Sequence, residues 1–282
     1  MQEGKFSGTA HRVAIRRAAH QLFDHPRVLD DPLALAIIGN EAAENLRASE
    51  KEGESSIARV FRAFMAARSR YAEDQLAKAM GQGAAQYVVL GAGLNTFAYR
   101  NPYAGLRVFE VDHPATQAWK RESLLKAGLE VPQSLVFAPL DFERQQLAVE
   151  LERGGFEPKL PAFFSWLGVV PYLMRESCMA TLAFIAKMPA GSGVAFDFAA
   201  DSKLLSWPER VIVYALSRRV AAAGEPFQLF FRPDERINEL RALGFHHTEI
   251  LGAAEINARY FADRADGLRI RGGAGRLMGA WV

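Results

Sequence analysis

The chain has 282 residues, 50% of them hydrophobic, and its 34 basic and 32 acidic side chains leave a net charge of +2. That length can bury a full core as one domain with attached helices, and so even a charge balance argues against the dense basic field that grips nucleic acid. Cys178 is the only cysteine, which excludes an intramolecular disulfide and a thiolate metal cluster, and the longest apolar run, Ala162–Met174, is too short to cross a ~30 Å hydrocarbon layer as a helix.

The opening MQEGKFSGTAHRVAIRR lacks the apolar core of a signal peptide, so the chain reads as cytoplasmic, with no nucleic-acid or membrane partner. Residues 1–84 read as a wholly helical cap on an α/β core that occupies 85–282. Glu41–Glu54 (EAAENLRASEKEGE) reads as a solvated, mobile connection. The helix SSIARVFRAFMAARSRYAEDQLAKAM places Ile57, Phe61, Phe64 and Tyr71 along one stripe, and Arg68 falls on that stripe. A buried guanidinium is costly without an anion. Either Arg68 snorkels or pairs with a local acid such as Glu73, or it binds the carboxylate of a methionine-like group. Arg62 and Arg70 lie off the stripe and are expected in solvent.

From residue 87 onward, short β-type runs alternate with helical patterns. The predicted strands are Tyr87–Gly91, Arg107–Asp112, Ser134–Asp141, Ala162–Val169, Gly193–Ala199, Thr248–Gly252 and Leu277–Trp281. Their near-continuous apolar character suits a parallel sheet covered on both faces. Between the fifth and sixth lies Asp201–Pro233, with a helical stretch Pro208–Ala223 and the aromatic run PFQLFF, long enough to form a lid or binding wall.

Gly91-Ala92-Gly93, in YVVLGAGLNTFAYR, follows a strand and precedes a helix, where an open α/β sheet exposes backbone N–H groups. A dinucleotide fingerprint wants a third glycine three positions on, but Thr96 stands there, and no Gly-Lys-Ser/Thr follows. A plain βα turn therefore stays open beside a ligand loop. Asp112 ends the second strand, nineteen residues after Gly93, where it can accept bonds from both hydroxyls of a ribose or cap the next helix. Asp141 ends the third strand, where its carboxylate suits an adenine amino group. Three successive strand tips thus offer glycine, aspartate and aspartate, a nucleoside site without a phosphate clamp, as S-adenosylmethionine needs.

Methyl transfer from a sulfonium is an in-line displacement in which alignment does most of the work. A carboxylate acceptor is already ionised at neutral pH, whereas an alcohol or phenol calls for a nearby base. His113 and Tyr172 are the catalytic candidates. Each has a plainer reading: His113 as a helix start, and Tyr172 packed beside Phe163 and Trp166 with its hydroxyl at the rim. His246 and His247 are adjacent, diverge, and lack a third ligand, so no metal site is expected. Trp207, Phe227, Phe230 and Phe231 wall an apolar pocket or pack the lid down. Arg210, Arg218 and Arg219 attract an acidic substrate or are simply solvated.

With these residues in view, the chain resembles the leucine carboxyl methyltransferase-like family of S-adenosylmethionine-dependent methyltransferases, in its bacterial O-methyltransferase branch. The resemblance runs through TAHRVAIRRAAH, VLDDPLA, ARSRYAED, VVLGAGLNTFAYR, VFEVDHPATQAWKRE, PLDFE, FFSWLGVVPYL and GAAEINARYFADRADGLRIRG. It implies a class I methyltransferase (Rossmann-like) α/β fold of seven strands, the last antiparallel, with helical additions over the active site. It also implies S-adenosyl-L-methionine as cofactor and methyl transfer to a carboxyl or hydroxyl oxygen of a small-molecule acceptor. Position by position, Arg68 resembles the arginine that meets the cofactor's carboxylate, Gly91, Ala92 and Gly93 the glycine loop, Asp112 the ribose contact, and Asp141 with Phe142 the adenine contact. Two departures stand out. Asn95 replaces an aspartate common in GAGLDT, and Leu167 replaces a glutamate of the eukaryotic enzymes, so their protein-phosphatase substrate is not carried over. A nicotinamide oxidoreductase is opposed by Thr96, while a binding protein that has kept the fold without turnover stays open, as does the oligomeric state.

Overall fold

In the computed structural model, which describes residues 8–49, 55–142, 144–222 and 226–282, four helices lead into the sheet. They are α1 (Gly8–Phe23), α2 (Ala34–Ile37), α3 (Asn40–Ser49) and α4 (Ser56–Gly81). Helix α3 corrects the expectation of a mobile connection over 41–54: residues 41–49 are helical, because Ala43 seats the helix in a cluster with Ala14 and Ile37, and 50–54 lie outside the described residues.

The core follows as β1 (Gln86–Leu90), β2 (Arg107–Asp112), α5 (Pro114–Lys126), β3 (Leu135–Pro139), α6 (Leu147–Arg153), β4 (Ala162–Trp166), α7 (Arg175–Ile185) and β5 (Gly193–Ala199). It closes with α8 (Trp207–Ala222), α9 (Pro233–Leu243), β6 (His247–Leu251), α10 (Ala253–Tyr260) and β7 (Gly275–Trp281). The strands form one sheet in the order β3-β2-β1-β4-β5-β7-β6, parallel except for β7, which runs antiparallel to both β5 and β6. This is the seven-stranded class I methyltransferase sheet that the resemblance implies. Strands β3 and β4 stop short of their expected ends. Proline occupies position 139, and Gly168, at φ +72°, turns the chain out of the sheet.

Every residue of β1 and β4 is buried, as befits strands covered on both faces. On one face Val88, Phe109, Phe164 and Phe196 pack with Leu151, Leu182 and Leu240 from α6, α7 and α9. On the other, Tyr87, Val89, Val108 and Ala195 lie under Ala63, Ala67 and Tyr71 of α4 and Ile256 of α10. Alanines let α4 approach the sheet closely, and Arg68 is buried on it at 6% exposure. The stripe is broader than expected at one end and shorter at the other. Ile57 is exposed, while Arg62 is buried instead of solvated.

Arg62 is buried because α4 also packs against α1, where it donates from Nε and Nη2 to the two oxygens of Asp24, both at 2.8 Å. Asp24 in turn lies 2.7 Å from Nδ1 of His20, and Nε2 of that ring accepts from the N–H groups of Val28 and Leu29, which assigns the ring proton to Nδ1. Burial pushes the Asp24 carboxyl up, but the bonds from His20 and Arg62 and the Arg62 charge outweigh it and hold it below its ordinary value.

Asp24→Ala is expected to destabilise the protein by about 3–5 kcal/mol in urea unfolding at neutral pH, because it strands a buried guanidinium. The lowered folded value also sets the sign of the pH effect. The contribution of Asp24 is present above roughly pH 4 and is lost as pH falls through the folded value, so the gap between wild type and variant should narrow in acid.

Candidate active site

Strand β1 delivers the chain into a turn that tolerates no side chain at its first position. Gly91 has φ +67°, and a Cβ added there would stand 2.2 Å from Cγ2 of Val169 in the loop after β4. Gly93 has φ +48°, and its Cβ would stand 3.1 Å from that of Ala10 on α1. The turn is thus enclosed from two sides. Its backbone N–H groups at Gly91 and Ala92 bond to the carbonyl of Val111 at 2.8 and 3.1 Å, which ties it to the end of β2.

Asp112 faces the turn. Its Oδ2 accepts from the N–H of Gly93 at 2.6 Å and its Oδ1 from the N–H of His113 at 2.7 Å. Burial pushes its carboxyl up, with those two backbone bonds acting in the opposite direction. The helix-capping role falls to His113, whose Nδ1 accepts from the N–H of Ala115 at 3.2 Å. Each Asp112 oxygen still has lone-pair capacity beyond its one backbone donor.

Beyond the glycines, the loop is clamped by charged side chains from helices on either side. Thr96, fully buried, donates to Oδ2 of Asp31 at 2.7 Å and accepts from Nη2 of Arg17 at 2.8 Å. Arg17 also pairs with Asp31 and donates to the carbonyl of Leu94 at 3.2 Å. From α5, Lys120 reaches the carbonyl of Asn95 at 2.6 Å and pairs with buried Glu110. Burial pushes the Asp31 carboxyl up, yet the Arg17 and Arg100 charges and the bonds from Arg17 and Thr96 hold it below its ordinary value.

Arg68 meets an anion, but not Glu73, which bonds to Arg100. Its Nη1 donates to Oδ2 of Asp197 on β5 at 2.9 Å, and Asp197 also accepts from the N–H of Gly168. Gly168 suits that position because its φ of +72° strains any side chain, and a Cβ there would stand 2.8 Å from Nη2 of Arg68. On the opposite side, Asp141 follows β3 with Nε of Arg144 at 3.6 Å, and the Phe142 ring stacks on Trp166 at 6.3 Å and 26°. Tyr172 does not pack beside Phe163. Phe163 belongs to the other face of the sheet, and the Tyr172 ring lies 5.2 Å from Phe227.

A cavity of about 380 Å³ opens at the carboxyl ends of β1 to β4. Arg68, Gly91, Ala92, Gly93, Asp112, Asp141 and Phe142 all line it, as do His113 and Tyr172. Asn95 and Leu167 line it too, so both departures from the family pattern fall at the site. Sequence reasoning missed Asp197, Arg17 and Lys120. Asp197 carries a readable signal, since a lone acid inside the apolar strand GVAFDFA needs a buried cation. Lys120 sits on a helix with weak periodicity, and Arg17 is one of three arginines between positions 12 and 17, so nothing local singles either out.

The leucine carboxyl methyltransferase family model matches residues 10–186. The "Putative S-adenosyl-L-methionine-dependent methyltransferase YktD" of Bacillus subtilis (strain 168) is 32% identical over 291 residues, covering 95% of each chain. A relative of the same description from Saccharopolyspora erythraea is 32% identical over 192 residues, 67% of this chain and 66% of its own. Among solved structures, a "putative methyltransferase" from Thermobifida fusca YX superimposes with TM-score 0.59 at 15% identity, covering 99% and 96% of the two chains. A duf574 family protein from Streptomyces avermitilis MA-4680 gives 0.54 at 17%, covering 94% and 96%. At those identities the structural likeness speaks for the fold.

The turn geometry makes a prediction about Gly91. Gly91→Ala should cost about 1–3 kcal/mol in denaturant unfolding, from both the Val169 clash and the strained φ. Adding Val169→Ala should recover only part of that loss, because it removes the clash and leaves the backbone strain.

Proposed function

The chain belongs to the leucine carboxyl methyltransferase family and is an S-adenosyl-L-methionine-dependent methyltransferase; from that premise we propose that it methylates an oxygen of a small-molecule acceptor, a carboxylate in preference to a hydroxyl. The observation that carries the acceptor reading is the state of His113. It is the one histidine among the described lining residues, and its Nδ1 is committed to the cap of α5. An oxygen that arrives already ionised needs no base, whereas an alcohol does. The cavity must hold cofactor and acceptor together within about 380 Å³, near the lower end for ligand pockets, which supports a small acceptor.

The residues present fit the cofactor. Nη1 of Arg68 is held by Asp197, and its Nη2 makes no hydrogen bond to the described residues, so the guanidinium keeps donors for a second anion, here the cofactor's carboxylate. The oxygens of Asp112 take the ribose hydroxyls, and Asp141 takes the adenine amino group. Phe142, fixed by its stack on Trp166, supplies a flat apolar surface for the base. The close-packed Gly91 turn brings backbone into contact range where a side chain would intrude. When bound, the cofactor supplies a methyl group on a positively charged sulfur. The chain's part is to orient the acceptor against that methyl and to keep water out, with Leu167, Val169 and Leu173 forming an apolar wall of the cavity.

Two titrations test the cofactor contacts. S-adenosylhomocysteine should stabilise the protein in thermal melts while NAD does not, and Asp112→Ala should weaken its binding by roughly 30- to 1000-fold with the fold intact, about 2–4 kcal/mol for two buried charge-assisted bonds. A folded Asp112→Ala protein with unchanged affinity would take the ribose contact away from this residue. A tritiated-methyl screen should favour carboxylic acids over phenols and alcohols.

Arg68→Lys separates the methionine end from the rest. Its affinity for S-adenosylhomocysteine should fall at least about tenfold, roughly 1.4 kcal/mol, while affinity for adenosine, which lacks the carboxylate, stays near wild type. Equal losses for both ligands would reduce Arg68 to a structural partner of Asp197.

A further inference from the structure

The aromatic and arginine-rich segment after β5 was expected to wall the pocket or pack down as a lid. Part of it does: Phe231 is buried against Phe198, and Pro226 and Gln228 line the cavity. Helix α8 carries another surface. Leu204, in the turn before it, and Trp207, Val211 and Tyr214 within it are 48%, 76%, 49% and 65% exposed. Their spacing of three, four and three residues sets them along one face of a helix. Ile212, at 45%, widens the row. Scattered exposed apolar side chains are ordinary on a soluble protein, but a contiguous row of five large ones, Trp and Tyr included, marks an interaction surface.

The helix is not displaying this row because it is loosely attached. Leu205 and Val220 are buried beneath it, and Arg210 donates from Nε to the carbonyl of Leu205 at 3.0 Å. Glu209, the one acid in α8, turns inward. Its Oε1 accepts from the N–H of Gly273 at 2.6 Å, and its Oε2 accepts from the N–H of Ser206 at 2.8 Å and from the Ser206 hydroxyl at 2.6 Å. Hydrogen bonds from Ser206 hold the Glu209 carboxyl below its ordinary value, so it stays ionised and engaged. The exposed charges described along the row are then all basic: Lys203, Arg210 and Arg218.

We propose that the outer face of α8 docks on the surface of an anionic lipid bilayer. Charge complementarity decides between occupants. A second copy placed face to face across a two-fold axis would set these cations against their own equivalents with no acid between them. An anionic surface neutralises them, while the apolar row enters the boundary of the acyl region. Trp207 and Tyr214 suit that depth, since each has an apolar ring with one polar end. No helix among the described residues is long and apolar enough to cross a membrane, so the attachment is to the surface only. The expectation of no membrane partner, drawn from the absence of a spanning run, does not reach this mode of contact. Pro226 and Gln228, which follow α8 in the chain, line the cavity, whereas the exposed row does not. The inference rests on α8 and holds whatever the acceptor is.

Vesicle flotation tests it, using phosphatidylcholine alone and phosphatidylcholine mixed with phosphatidylglycerol. The wild-type chain should float with the mixed vesicles at low salt, be released as salt rises, and stay behind with phosphatidylcholine alone. Trp207→Ser with Tyr214→Ser, and separately Arg218→Glu, should each weaken partition by on the order of tenfold or more. Both variants should keep wild-type unfolding and S-adenosylhomocysteine binding, because the three residues are exposed and outside the cavity. Should the double variant unfold more easily, Arg218→Glu alone decides. No flotation with mixed vesicles, or variants that float like wild type, overturns the proposal. So does light scattering that shows a dimer which the double variant converts to monomer, since the face then belongs to a second copy.

Discussion

One close approach governs the site: the backbone of Gly91 against Val169. A Cβ at Gly91 would lie 2.2 Å from a Val169 methyl, so the turn after β1 and the loop after β4 are in contact at a point that admits only glycine. The φ of +67° at Gly91 then aims the following residues away from the sheet, which brings the N–H of Gly93 onto Asp112 and Leu94 into the cluster formed by α1 and α2. If the two loops stood further apart, the ends of β1 and β4 would leave an open groove. Instead they frame a cavity whose polar groups sit at the strand tips.

Buried ion pairs hold the helical layer over that frame. Arg62 with Asp24 links α4 to the end of α1, Arg17 with Asp31 and Thr96 links α1 to the glycine loop, and Arg68 with Asp197 links α4 to β5. Such pairs are weak evidence for net stability, since desolvating two charges offsets much of their attraction. Their geometric effect is plainer. A planar guanidinium bonded to a carboxylate has little rotational freedom, so Arg17 and Arg68 arrive at the cavity with fixed orientation. Groups that bind charge are more effective when they are held before the ligand arrives.

Much of this was legible in the chain, for identifiable reasons. Runs such as AFFSW and QYVVL are mostly apolar and buried throughout because both faces of the sheet are covered, and all seven strands overlap the predicted runs, β3 and β4 ending early. Gly91, Gly93, Asp112 and Asp141 could be located because strand tips are local features, and Arg68 because a charge on an apolar stripe demands an explanation. What stayed hidden depends on partners distant in sequence. Asp24 lies 38 residues from Arg62, and Asp197 lies 129 from Arg68, so no window along the helix contains the anion that permits burial. Thr96 was read only as a missing glycine, whereas it is the point where Arg17 and Asp31 grip the loop. Trp207 shows the opposite failure. Its hydrophobicity suggested packing, and only the fold reveals that α8 turns it outward.

The cavity at the ends of β1 to β4 is proposed to receive the cofactor as one preorganised unit. Amide hydrogen exchange with and without S-adenosylhomocysteine tests it most directly, because it reports every backbone segment at once. Protection should rise together over residues 91–96, 112–113, 141–142 and 167–169, with α10 and the β6–β7 edge unchanged. Protection confined to another region, or none at saturating ligand, would contradict it.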